Sequence, residues 1–245
     1  MKAILTYHSI DDSGSPISLA PHAWVDHLEW LASGRVRVMG LTDLLAHPTD
    51  GDDAVAVTFD DGFRNVDAPV ASLRARGLPA TIFVVTGHVG RTNDWGGRPQ
   101  AGIPTLPLLS WAELESLLGQ GAAVEAHTRT HPHLTRVSPA ALADELDGCR
   151  EDLRARLGVE AAHLAYPYGD VNDAVAGRSG RFFRAGYTTM FRTLAVEDSP
   201  MLLPRLDMYY FSAPGALARW GTAGFRRRLR WIGLKRWLKR PIEKL

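Results

Sequence analysis

Eight short apolar, β-prone runs recur along this chain, at residues 3–7, 36–39, 54–59, 80–85, 122–126, 163–166, 187–190 and 205–209. Helical patterns lie between most of them, at 21–32, 41–45, 66–76, 111–118, 139–157 and 173–185. The runs are too uniformly apolar to keep one face in water, so they belong in a parallel sheet covered by helices. The expected fold is α/β, a distorted (β/α) barrel of seven or eight strands, as a single domain over 1–212 with a basic amphipathic helical tail over 213–245. Local signals agree. Ser110 and Glu113 have capping-box spacing, Ser138-Pro139 places a cap before an N1 proline, and Gly77, Gly158 and Gly186 follow helical patterns as C′ glycines do.

A 245-residue chain with 45% hydrophobic and 22% charged residues has the composition of an ordinary globular protein. Its single cysteine, Cys149, has no partner for an internal disulfide. The opening MKAILTYHSI has too short an apolar run for a secretory leader, and no stretch approaches the roughly 18 apolar residues of a membrane span. A cytoplasmic location is expected, with peripheral attachment to the inner face of the membrane as a further option. The formal net charge of +1 conceals an asymmetry, because residues 219–245 carry ten Lys or Arg and one acid. The remaining body is acidic and would repel phosphates, which sets nucleic acid aside as a partner. No obligate protein partner is expected.

Strand ends carry the chemistry in such a barrel, because their side chains converge on one mouth. The first run ends in Tyr7-His8 and the run at 54–59 in Asp60-Asp61. The run at 122–126 ends in His127-Thr128, with His131 following, and the run at 163–166 leads into Pro167-Tyr168-Gly169-Asp170. Two imidazoles and a carboxylate suit a divalent ion of intermediate softness, zinc first, with a position left for water. Asp61, His127 and His131 are the candidate ligands. HxxxH taken alone is more often an ordinary surface or core pair; its conjunction with DDG on another strand end reverses that. Asp60 is then the candidate general base, a carboxylate beside a metal-bound water. The alternative for one acid of the pair is to cap the helix that follows.

TFDDG at 58–62, HTRTH at 127–131 and YPYG at 166–169, in that order and on that strand pattern, resemble the first three motifs of the polysaccharide deacetylase (NodB-homology, carbohydrate esterase family four) superfamily. The resemblance covers roughly residues 1–210. It implies metal-dependent hydrolysis of an N-acetyl group on a sugar, with Asp60 as base and Asp61, His127 and His131 on the metal. It further implies that the Tyr168 backbone N–H helps stabilise the oxyanion and that Pro167 and Tyr168 line the sugar groove; Tyr7 and Thr128 join them as substrate-binding candidates. LTYHSI at 5–10 and APHAWVDHLEWL at 20–31 are similar to the deacetylases of biofilm poly-N-acetylglucosamine. The substrate implied is an acylated amino-sugar glycan, free or as a lipid-linked precursor.

Two departures from the family pattern stand out. Many members carry an arginine just before the third motif, where this chain has Ala165-Tyr166; Arg205 in LPRLDM is the candidate replacement, a surface arginine being the alternative. The family's late Leu-x-His motif, source of the general acid, is missing, since no histidine follows His163. His8 is the candidate acid, because the first strand adjoins the last when a barrel closes, a buried histidine bonded to backbone being the alternative. His22, His27, His47 and His163 are expected to be solvated in helical or connecting segments; His88 and His133 lie nearer the site.

In the tail, Phe225, Leu229, Ile232, Leu234, Trp237, Leu238 and Leu245 recur among Arg and Lys side chains, in a pattern broken by Gly233 and Pro241. This is either a membrane-interface segment with peripheral contact to anionic lipid or a pair of helices packed on the barrel. The rival functions are a deformylase or other amidohydrolase on a non-acetyl or non-sugar amide, and a glycan-binding protein with a decayed site.

Overall fold

The computed structural model describes residues 1–46 and 51–238. His47, Lys239, Arg240, Pro241 and Leu245 lie outside the described residues. In chain order the strands are β1 (Lys2–Tyr7), β2 (Ser9–Ile10), β3 (Ser18–Leu19), β4 (Arg37–Val38), β5 (Ala54–Phe59), β6 (Thr81–Val84), β7 (Ala123–Ala126), β8 (His163–Ala165), β9 (Ala185–Tyr187) and β10 (Leu206–Asp207). The helices are α1 (Pro21–Ala32), α2 (Leu41–Ala46), α3 (Asp67–Arg74), α4 (Trp111–Gly119), α5 (Pro139–Ala143), α6 (Cys149–Leu157), α7 (Asp173–Ser179) and α8 (Ala223–Leu238).

The main sheet runs β10-β1-β5-β6-β7-β8-β9, with β4 joined to β5, and every pairing in it is parallel. Beyond β9, Leu203 forms a parallel bridge to Tyr187, and Leu206 then pairs with Leu5. The segment 203–207 therefore joins the two edges of the sheet, which curls into the distorted barrel expected from the sequence. Both faces are covered. Ala3, Leu5, Tyr7, Val55, Val57 and Phe59 share one core cluster with α1 residues Trp24 and Leu28. The alternate residues Ile4, Ala54 and Ala56 pack with Phe83, Ala165 and Tyr187, and with Leu41 and Leu44 of α2, in a second, inner cluster. Burial on both faces is why these strands read as unbroken apolar runs.

The capping box at α4 is formed, and Ser138 accepts from Ala141 N ahead of Pro139. The expected helix at 139–157 is continuous, but Asp144–Gly148 is wound as a π-turn between α5 and α6. Several boundaries differ from expectation, among them the run at 187–190, which shares only Tyr187 with β9. The helix expected over 173–185 ends at Ser179, and Gly186 lies in β9 and caps nothing; a Cβ there would meet Tyr166 Oη at 2.4 Å, so the strand needs glycine to pass the ring. The last run is a strand only at Leu206–Asp207, where it meets β1, and then turns into a 3-10 segment. Among the described residues of the tail, α8 runs unbroken through Gly233, where a break was expected, and a Cβ at Gly233 would lie 3.1 Å from Phe191 O; the second expected break, Pro241, lies outside the described residues.

Candidate active site

Asp60 follows β5 directly and shares the inner face of the strand with Ala54, Ala56 and Thr58. Its carboxylate, 2% exposed, receives a two-pronged bond from Arg205, Nη1 to Oδ1 and Nη2 to Oδ2, both at 2.7 Å. Arg205 is itself buried, donates Nε to Thr188 O at 3.2 Å and lies over the Phe83 ring. Burial pushes the Asp60 carboxyl up, but the guanidinium, then His127 and His8, outweigh it and hold the group below the ordinary carboxylate value. His8, one residue past β1, brings Nε2 to 3.9 Å from Asp60 Oδ2 and remains partly open to solvent. Asp60, Arg205 and His8 thus meet at one corner because β5, β1 and β10 are neighbours.

Asp61 points elsewhere. With φ at 68° it takes the left-handed conformation, followed by Gly62 at 75°, so two adjacent acids diverge instead of alternating across the strand. Its Oδ1 lies 3.2 Å from His127 Nε2 and 3.3 Å from His131 Nε2. One ligand atom from each of the three residues falls within 4.8 Å of the others. His127 Nδ1 is 2.8 Å from Ala165 O, a bond that leaves the Nε2 lone pair facing the carboxylate. Asp61 Oδ1 is buried without a properly directed donor among the described residues. Lone pairs of two imidazoles and a carboxylate converging on one point fit a divalent cation, and zinc suits the mixed N/O set. Without a cation, a proton fills the role. Burial pulls His127 down, but Asp61 and Asp60 outweigh it and raise its pKa, whereas burial wins at His131 and takes it to about 4.

The turn carrying both histidines is held under strain. Among the described residues four non-glycines have positive φ, namely Asp61, Thr128, His131 and Tyr168, and all four sit at this mouth. Thr128 Oγ1 accepts from His131 N at 3.1 Å. From outside, Glu145 Oε2 accepts from Arg129 N and Thr130 N, both at 2.8 Å, while Thr130 Oγ1 donates to Oε1. The π-turn between α5 and α6 presents this buried carboxylate. Arg129 is tied down in turn by Asp152 and Asp144, and from the other side Gly87 N donates to Arg129 O at 2.8 Å. A Cβ on Gly87 would come within 2.6 Å of that oxygen.

The outer wall comes from the 87–109 loop, whose neck is bridged by Asn93 to Leu106 N and Pro104 O. Trp95 stacks on His131 with centroids 4.5 Å apart, and Gln100 Nε2 donates to Tyr168 Oη at 2.9 Å. Tyr168 is 41% exposed, with His133 stacked on its ring at 4.2 Å. His88 packs edge-on to Trp95.

Several sequence expectations need correcting. Tyr7 faces away from the mouth, in the helix-facing layer with Ala3 and Leu5, and its hydroxyl bonds His27 Nδ1 at 3.1 Å. Thr128 is fully buried and Pro167 is buried, so neither presents a surface to substrate. His27 and His163 are not solvated: His27 Nε2 bonds Phe211 O, and His163 bonds Tyr187 Oη and Thr42 Oγ1. Glu145, Trp95 and Gln100 were not singled out from the sequence; the first looks like any helical acid, and the others lie in an irregular stretch without pattern. A cavity of about 620 Å³ lies at the opposite end of the barrel, lined by Lys2, His163, Ala185 and Leu203 among others, and shares no residue with this constellation.

A sequence model of the family described as polysaccharide deacetylase matches residues 47–187, more than half of the chain. The poly-beta-1,6-N-acetyl-D-glucosamine N-deacetylase of Staphylococcus aureus (strain MSSA476) is 23% identical over 220 residues, spanning 83% of this chain and 72% of that one. The Bacillus subtilis protein YxkH is 23% identical over 194 residues, 76% of this chain but 63% of its own, so this chain spans less than two thirds of that relative. Among solved structures, the Streptococcus pyogenes deacetylase PplD in complex with acetate is similar with a TM-score of 0.74 at 20% identity, over 89% of this chain and 96% of that one. IcaB from Ammonifex degensii has a TM-score of 0.70 at 21% identity, over 95% and 97%. At these identities the structures speak for a shared fold.

Proposed function

Because the chain belongs to the polysaccharide deacetylase family, we propose that it is a metal-dependent hydrolase that removes an N-acetyl group from an amino sugar of a glycan or lipid-linked glycan precursor. The observation that carries this reading is the division of the DDG pair. Asp61 faces His127 and His131, while Asp60 is turned to Arg205. A divalent cation held by Asp61, His127 and His131 would polarise the amide carbonyl and make a bound water acidic.

The remaining roles belong to the chain. Asp60, held ionised, takes the proton from the attacking water, and the Arg205 fork fixes both its oxygens so that no reorientation accompanies transfer. His8 stands beside the base and delivers a proton to the departing amine. Tyr168 offers its exposed ring to the sugar and its backbone N–H to the oxyanion, the latter on the strength of the family resemblance. Trp95 and Gln100 close the wall on that side.

The test is release of free amines from N-acetylated β-1,6-glucosamine oligomers by zinc-loaded protein, with N-formylated oligomers in parallel. Turnover of acetylated sugar that disappears in Asp60→Asn supports the reading. Turnover confined to the formylated series would make the protein a deformylase, and zinc retention without any turnover would favour a glycan-binding role.

A further inference from the structure

Helix α8 has two faces of different character. Phe225, Leu229 and Ile232 are 2%, 6% and 5% exposed and seat it on the barrel, while Arg228 donates to Tyr210 O and Arg236 to Tyr210 Oη and Thr189 O. The opposite stripe carries Trp231, Leu234 and Leu238, exposed by 56%, 55% and 66%. Exposed Arg227, Arg230 and Lys235 flank these three, and Lys235 Nζ lies 3.6 Å from the Trp231 ring centroid. Three large apolar side chains in water on a helix already packed by its other face call for a partner. Residues 219–238 contain no Asp or Glu.

The helix has a direction relative to the mouth. Near its start, a Cβ on Gly221 would lie 2.9 Å from Asp53 Oδ2, at the base of β5. Near its end, Arg236 reaches Thr189 O, and Thr189 Oγ1 lies 3.4 Å from Tyr168 O at the mouth. The exposed apolar residues therefore occupy the half of α8 nearest the mouth. No described helix is long and apolar enough to cross a membrane.

We propose that the outer face of α8 seats the protein on an anionic bilayer surface with the mouth at headgroup level, and that the acylated sugar it processes is carried on a lipid. Trp between Leu and basic side chains is the composition of a helix lying in the interface: apolar tips enter the acyl boundary while Arg and Lys meet lipid phosphates. The lipid-borne substrate rests on the deacetylase reading; the docking does not.

The experiment is sedimentation of the full chain with phosphatidylcholine vesicles containing or lacking phosphatidylglycerol. Wild type is expected to partition at least ~10-fold better onto the anionic vesicles, less so as salt is raised. W231S/L234S/L238S and, separately, R227E/R230E/K235E are each expected to lose at least ~10-fold of this, with unfolding midpoints little changed because all six side chains lie on the exposed side of α8. No sedimentation of wild type, or equal sedimentation of wild type and both variants, overturns the docking. For the substrate, kcat/KM of W231S/L234S/L238S should fall on a lipid-linked N-acetyl sugar in anionic vesicles and hold on soluble oligomers. Equal loss on both overturns the lipid-borne substrate. Absence of turnover on either by any form overturns the deacetylase reading and leaves vesicle binding to decide the docking.

Discussion

The barrel buries histidine at each end, one at the base and a pair at the mouth, and the two surroundings are built on opposite principles. At the base, His163 is satisfied on both nitrogens, by Tyr187 Oη at 2.6 Å and Thr42 Oγ1 at 3.1 Å, and Glu125 Oε2 accepts from Ala162 N and His163 N, both at 2.9 Å. At the mouth, Asp61 Oδ1 and His131 Nδ1 are buried without a partner among the described residues, and the backbone is left-handed at Asp61 and His131. A cluster that completes its own bonds in relaxed backbone contributes to stability. One that leaves them open in strained backbone is held in readiness for something else.

The largest expected effect breaks the mouth. By elemental analysis the wild type should hold about one equivalent of zinc and Asp61→Ala little, and Asp60→Asn should keep the metal but lose ~10²–10⁴ in kcat. Retained zinc in Asp61→Ala would place the metal elsewhere. Arg205→Ala should cost about 3–5 kcal/mol in urea unfolding, because it strands a buried carboxylate, and turnover should fall with it. An unchanged midpoint would mean that water replaces the guanidinium.

The two histidines sharpen the contrast. In chelated protein His163→Ala should cost about 2–4 kcal/mol, leaving a hole beside Tyr187 and stranding its buried hydroxyl, while the exposed Thr42 hydroxyl turns to water. His131→Gly should cost under about 1 kcal/mol, since release of left-handed strain offsets the lost ring contacts, yet it should abolish zinc binding. Equal costs would erase the distinction drawn here. Glu145→Gln is expected to weaken zinc affinity by about 10–100-fold through the turn it holds, with the fold retained; unaltered affinity would reduce Glu145 to a structural helix residue.

The last effect, modest and remote from the mouth chemistry, concerns pH. Burial pushes the Glu125 carboxyl from 4.5 up to about 7, against the two N–H bonds it accepts. The folded protein then keeps a proton that the unfolded chain releases, so this contribution is complete below pH 4.5 and is lost as pH rises through 7. Glu125→Gln should flatten that decline by about 1–2 kcal/mol between pH 4.5 and 7.5. A slope unchanged by the substitution would assign it to other groups.

What the sequence determined by itself is local. Strand β5 and helix α1 fall at their expected residues because an apolar run and an N1 proline act over a few positions. The convergence of Asp61, His127 and His131 followed from one rule, that strand ends share a mouth. What only the tertiary structure decided depends on register and on distance along the chain. Arg205 finds Asp60 across 145 positions only because the segment joining the sheet edges lies against β1. The same alternation turns Tyr7 toward α1 and Asp60 inward, a choice no single strand can reveal since both its faces are buried. Glu145 meets the histidine turn because a π-turn reorients one step of a helix, and hydrophobic periodicity carries no trace of which carboxylate that step will aim.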